Sequence, residues 1–524
     1  TMADTLTVSK GTDLKSTLNV DEAATIGSTL AVTGGATLAS TLAVTGSSTL
    51  YDDLTVSKAT DLKSTLNVDE SATIGSTLAV TGAATLASTL AVTGASTMGN
   101  NLTVSKATDL KSTLNVDDVV TMGSTLAVTG GATLASTLAV TGASTLSDTL
   151  AVSKATDLKS TLNVDEAATI GSTLAVTGGA TLASTLAVTG SSTMADTLTV
   201  SKGTDLKSTL NVDEAATIGS TLAVTGGATL ASTLDVTGAS TMSDTLTVNK
   251  VADLKSTLNI DKATTIGATL AVTGGAALAS TLAVTGASTL SDTLAVSKAT
   301  DLKSTLNVDD VVTMGSTLAV TGGATLASTL AVTGASTLAD TLAVSKATDL
   351  KSTLNVDEAT TIGSTLAVTG GATLASTLAV TGASTLSDNL TVSKSTDLKS
   401  TLNVDEAATI GSTLAVTGAS TLSDNLTVSK STDLKSTLNV DEAATIGSTL
   451  AVTGGATLAS TLAVTGASTL SDNLTVSKAT DLKSTLNVDD AATIGSTLAV
   501  TGGASFASTM EVTGKTTLTD DVSM

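Results

Sequence analysis

A twelve-residue pattern runs without a gap from residue 5 to residue 520, so the fold must be one that near-identical short segments build together. The first four units read TLTVSKGTDLKS, TLNVDEAATIGS, TLAVTGGATLAS and TLAVTGSSTLYD, and the same four kinds return from Asp53. Forty-three units follow one another, with fragments of units at 1–4 and 521–524. Large aliphatics occupy the second, fourth and tenth places of a unit, as Leu6, Val8 and Leu14 do, and a small residue usually stands at the eighth. These are two short runs of period two, which is the spacing of a β-strand with one face turned inward. Gaps of two, six and four residues do not track one face of a helix, and Thr and Gly are poor helix formers. TGG, TGA, SKA or DEA follow one run and Ser or Asp the other, marking two corners per unit.

The expected fold is therefore all-β: an elongated β-solenoid whose rung is one twelve-residue unit, forming a single continuous repeat region over 1–524. A two-strand unit cannot bury its apolar face alone, so neighbouring units must stack. Stacking at twelve places Leu18 and Val20 on Leu6 and Val8, and Ile26 on Leu14, and continues the ladder through Leu30, Val32 and Leu38. One irregularity supports this rung length. From Asn389 the order skips the TLAVTGGATLAS unit before NLTVSKSTDLKS returns at Asn425, and a twelve-residue rung would simply lose one step there. Two alternatives stay open. The chain also reads as hexads with an aliphatic at every fourth place (Val8, Leu14, Val20, Ile26), giving an eighteen-residue rung, or as three chains interwound around a common axis.

Composition narrows the function. The chain has one Phe (Phe506), one Tyr (Tyr51) and no Trp, Pro, Cys, His or Arg. A core without aromatic fillers must be built in regular aliphatic layers. A net charge of −23 and the lack of aromatics to stack on bases argue against nucleic acid. No stretch nears the roughly 20 apolar residues of a spanning helix, so membrane insertion is not expected. Without His, Cys or Arg, and with every carboxylate pair in the same repeated surroundings, no catalytic or cofactor site is expected. The chain opens at Thr1 in mid-pattern, which points to a segment of a longer chain or filament.

Three features invite a more specific reading. Lys10 and Glu22 hold the same place in successive units, and a twelve-residue rung would make them an inter-rung ion pair. Adjacent carboxylates such as Asp21 and Glu22 suggest divalent cations only weakly, since the glycine-spaced calcium pattern is missing. Asn101, Asn389, Asn425 and Asn473 each begin an NLT acceptor triplet for N-glycosylation. The glycines of TGG, such as Gly34 and Gly35, are expected to supply positive φ at a tight corner. Outward Thr rows raise ice binding as a lesser function, although TLAV units put Ala at the second outward place.

The phrases TLAVTGGATLASTLAVTG and STLNVDEAATIGSTLAVTG resemble the repeats of phage and algal-virus tail-fibre shafts and of large secreted filament or surface proteins of marine microbes. That resemblance implies an extracellular, virion-surface or cell-surface fibre. Its function would be length and stiffness, with the chain itself as partner in head-to-tail assembly and surface glycans as further contacts. The second reading it implies is the stalk of an adhesin or receptor-binding fibre.

Overall fold

The structure is a computed structural model and describes residues 1–523. Every helix or strand among these residues is a strand, and 87 strands recur at six-residue intervals. Each holds three residues, except the last with two, and three-residue corners separate them. The first six are β1 (Leu6–Val8), β2 (Thr12–Leu14), β3 (Leu18–Val20), β4 (Ala24–Ile26), β5 (Leu30–Val32) and β6 (Ala36–Leu38).

β1 pairs in parallel with β4, setting Leu6 opposite Ala24 and Val8 opposite Ile26. β2 pairs with β5 and β3 with β6 in the same register. Three consecutive strands thus close one rung of eighteen residues, and the chain is a parallel β-solenoid of about 29 rungs counted over all its strands. It divides into two compact units, Thr1–Lys262 and Ala263–Met524, each with this architecture. In the second unit Thr264 lies opposite Leu282, Leu270 opposite Ser288 and Ala276 opposite Leu294.

The rung is therefore eighteen residues, not the twelve expected, and one chain encloses its own core, unlike an interwound fibre. Leu18 lies on Ala36 rather than on Leu6, and Leu14 on Val32 rather than on Ile26. The corners explain the difference. A two-sided rung needs its chain to reverse fully at each three-residue corner, and the turns of types II, I′ and II′ do so with a residue at positive φ. No residue described, glycine included, has positive φ, so the corners of TGG, SKA and DEA alike turn the chain with ordinary backbone angles. Three gentler corners close a triangle, and a triangle encloses six inward side chains per rung instead of four.

Those six fill the interior by alternation. In each hexad the second and fourth residues point inward. The fourth is always large: Val (once Ile260) in one kind of hexad, and Leu, Ile, Met or Phe in the other. The second alternates along the chain between Leu and a smaller residue. Because three hexads make a rung, stacked hexads always differ in kind, so Leu18 meets Ala36, Ala24 meets Leu42 and Leu30 meets Ser48. Leu18, Val20, Ile26, Leu30, Val32 and Leu38 are all buried, whereas Leu6, Val8 and Leu14 in the first rung are half-buried.

Glycine serves close approach instead of positive φ. A Cβ on Gly190 would stand 2.7 Å from the carbonyl carbon and 2.8 Å from the carbonyl oxygen of Ser172, one rung away. A Cβ on Gly179 would meet the Thr197 hydroxyl at 3.1 Å and its carbonyl oxygen at 3.3 Å, and the hydroxyl can rotate aside. Gly190→Ala should therefore lower the urea midpoint in line with an overpacking cost of about 1–3 kcal/mol, and Gly179→Ala should cost clearly less. Equal losses in the two variants would count against close approach as the reason for glycine.

Candidate functional site

The interior carries one polar feature. At the small inward place, Ser144 lies between Leu126 and Leu162, and Thr156 between Leu138 and Leu174. Both hydroxyls are buried, and neither has a hydrogen-bond partner among the described residues. Where Met replaces Ile across the core, the hydroxyl finds sulfur: Thr108 Oγ1 donates to Met122 Sδ at 3.1 Å and Thr300 to Met314 at 3.2 Å. An unpaired buried hydroxyl costs stability, so Thr156→Val should gain about 1 kcal/mol. A lower urea midpoint for that variant would show that the hydroxyl is satisfied.

The corners hold the lysines and most of the acids, and they also satisfy backbone. At the corner that closes every fourth unit, Asp or Asn accepts the N–H of the next residue, as Asp148 Oδ1 does from Thr149 at 2.6 Å and Asn100 Oδ1 from Asn101 at 2.8 Å. The NLT asparagines extend this to the next rung. Asn101 Oδ1 accepts from Val119 N at 3.1 Å, Asn389 from Ala407 at 3.2 Å, Asn425 from Ala443 at 3.2 Å and Asn473 from Ala491 at 3.1 Å. Asp53 does the same for Ser71 at 2.9 Å. The Nδ2 groups of Asn389 and Asn473, which a glycan would occupy, donate to Asp388 and Asp472 at 2.8 and 2.9 Å. All four asparagines are exposed. Sequence reasoning noticed their acceptor triplet but missed their capping role. The signal was there: this place admits only Thr, Asp and Asn over most of the chain.

Lys10 and Glu22 do not meet. Eighteen residues on from each stands a serine, Ser28 and Ser40, and neither Lys10 nor Glu22 forms an ion pair among the described residues. The recurring pair is instead local: Lys15 reaches Asp13 at 2.8 Å, Lys63 reaches Asp61 at 2.7 Å, and Lys255 bonds Asp253. The hydrogen bond to Asp13, with its charge, raises the Lys15 ammonium above its ordinary pKa. Both partners are largely exposed, so solvent screens the pair and it adds little stability.

Stacking at eighteen also puts like charges side by side. Asp148 is followed one rung on by Glu166, and Asp340 by Glu358. Where the unit is missing, Asp388, Glu406, Asp424 and Glu442 succeed one another along a single edge. Yet among the described residues no group of three or more His, Cys, Asp or Glu side chains is placed to hold a metal ion. In one repeat a lysine replaces the second acid, and Lys262 Nζ reaches Asp244 Oδ2 at 3.3 Å. Glu166→Lys should reproduce that contact with Asp148 and raise the urea midpoint at low ionic strength, an effect that fades toward 1 M salt. No gain at low salt would mean that stacked carboxylates at this corner do not sense one another.

The flat faces are uncharged apart from strand acids such as Asp61. Along one column of outward side chains the order is Thr7, Thr25, Ala43, Asp61, Ala79, Thr97 and Asn115, so threonine rows are short and interrupted. A shallow polar groove crosses a face where Gly455 leaves space beside Asn439, Thr457, Thr475 and Thr493. The chain matches no protein-family model, no curated protein and no solved structure. No described helix is long and apolar enough to cross a membrane.

Proposed function

We propose that this chain is a structural element, the shaft of an extracellular or surface-exposed fibre, whose work is length and stiffness rather than chemistry. The observation that carries the reading is uniformity. Among the described residues of each compact unit, every rung repeats the same three strands, every corner has three residues, and no loop interrupts the ladder of backbone hydrogen bonds. With strand spacing near 4.8 Å, the roughly fourteen rungs of each compact unit span about 70 Å. The same uniformity speaks against an enzyme, which needs a place unlike its surroundings.

The stalk of an adhesin or receptor-binding fibre is the same physical role with a binding head added. The first and last rungs leave Leu6, Val8 and Leu14, and Met510, Val512 and Leu518, incompletely covered. A further rung, from more chain or from a second copy, would cover them, which is the route to head-to-tail assembly. The interrupted threonine columns give ice binding no support.

Three-residue corners leave a protease no extended segment to grip, since nicking concentrates at mobile loop tips. Limited proteolysis of the native chain should leave it intact for hours under conditions that consume urea-unfolded chain within minutes. Negative-stain micrographs should show slender straight particles. Rapid cleavage into discrete fragments, or compact round particles, would overturn the shaft reading.

A further inference from the structure

We infer that this chain can gain or lose length in steps of twelve residues, and that large-against-small packing sets the step rather than completion of a rung. The inference rests on the reading of the chain as a length-giving shaft. Strand pairs join hexads three apart, and hexads alternate in kind, so each pair, except where Met510 or Val522 takes the leucine's place, sets a Leu against a smaller residue at the first inward place. Removing an even number of hexads keeps opposite kinds together. Removing an odd number, including the three of one whole rung, brings like kinds together and stacks Leu on Leu.

The chain contains an instance of an even step. Where the TLAVTGGATLAS unit is missing, Leu402 lies opposite Ser420 and Ala408 opposite Leu426. In a complete repeat the equivalent leucine, Leu162, lies opposite Ala180, and the equivalent alanine, Ala168, opposite Leu186. Leu402, Ser420, Ala408 and Leu426 are all buried, as their counterparts are. Two-thirds of a rung has gone and each later hexad falls on a different face, yet strand pairing and alternation persist. The faces are interchangeable because every corner turns with ordinary φ and so accepts any of the corner sequences. One such step changes the axial length by about 3 Å, two-thirds of a strand spacing.

The same step can be imposed elsewhere. Deleting 125–136 from the full chain would put Leu114 opposite Ser144 and Thr108 opposite Leu138, both large on small. Deleting 125–142 removes one entire rung and preserves each face, but it would put Leu114 opposite Leu150 and Thr108 opposite Ser144. Deleting 125–130 would likewise set Leu114 opposite Leu138, whereas deleting 125–148 would set it opposite Thr156. Crowding on one face and a void on the next should loosen the flanking rungs.

Amide hydrogen exchange across these four full-length deletions tests the idea. The twelve- and twenty-four-residue deletions should exchange within about threefold of the parent in the rungs around 108–120 and 150–162. The six- and eighteen-residue deletions should exchange there at least about tenfold faster, or fail to fold. Full protection in the eighteen-residue deletion with loss in the twelve-residue one would make rung completion the governing step. A steady decline with deletion length, or no difference among the four, would also overturn the inference. None of these outcomes bears on whether the particles are slender rods, so this step and the shaft reading fail separately.

Discussion

Everything in this structure depends on a leucine having a small neighbour above and below it. A triangular rung of three-residue strands encloses six side chains in close contact, and six large ones would overfill it. The chain meets that limit by mixing. The rung that begins at Leu18 holds five large residues and Ala24, and the next holds four large residues with Ala36 and Ser48. Bulk and gap exchange places from one rung to the next, so the interior stays filled without any aromatic ring. The buried hydroxyls fit the same logic. Ser and Thr stand where volume must be small, and size is met there at the expense of an unpaired polar atom.

The same alternation shows why the sequence period and the rung differ. Twelve residues is the distance after which two kinds of hexad repeat, and eighteen is the distance after which three faces close. Only an odd number of hexads per rung can bring opposite kinds together at every level. A twelve-residue rung would have separated the residues into a column of leucines and a column of alanines. The strands, their inward residues and the corner positions were therefore legible in the amino-acid sequence, and Leu18, Val20 and Ile26 are buried as expected. The rung length was not decided between twelve and eighteen, because the missing unit near Asn389 favoured twelve when it shows only that faces are interchangeable. The Lys10–Glu22 pair went astray with the rung length, since it depended on nothing else.

Corner chemistry was harder to read for a different reason. Glycine in TGG looks like a request for positive φ, but the requirement comes from the neighbouring rung, and that neighbour lies eighteen residues away. The NLT asparagines look like acceptor sites for sugar until Val119, Ala407, Ala443 and Ala491 are seen to need an acceptor for their N–H groups. In both cases the partner belongs to another turn of the chain, and no local pattern reveals it before the rung length is known.

Charge follows from combining the two periods. The four-unit sequence repeat and the eighteen-residue rung come back into step after eight rungs. Along one edge of the first unit the order runs Asp52, Glu70, Ser88, Lys106, then Ser124, Gly142, Ser160 and Gly178. The charged stretch thus passes from edge to edge as the rungs climb, and the flat faces between stay largely neutral. These faces carry mainly Thr and Ala, with one Asn and at least one Asp in each complete four-unit repeat. Acidic residues outnumber lysines by 47 to 24, and about half of the lysines are held by an aspartate two residues away. The winding stripe is therefore negative, and it reaches every edge within eight rungs. The interior alternation sets which kinds of hexad stack, and the two periods together set where the charge falls.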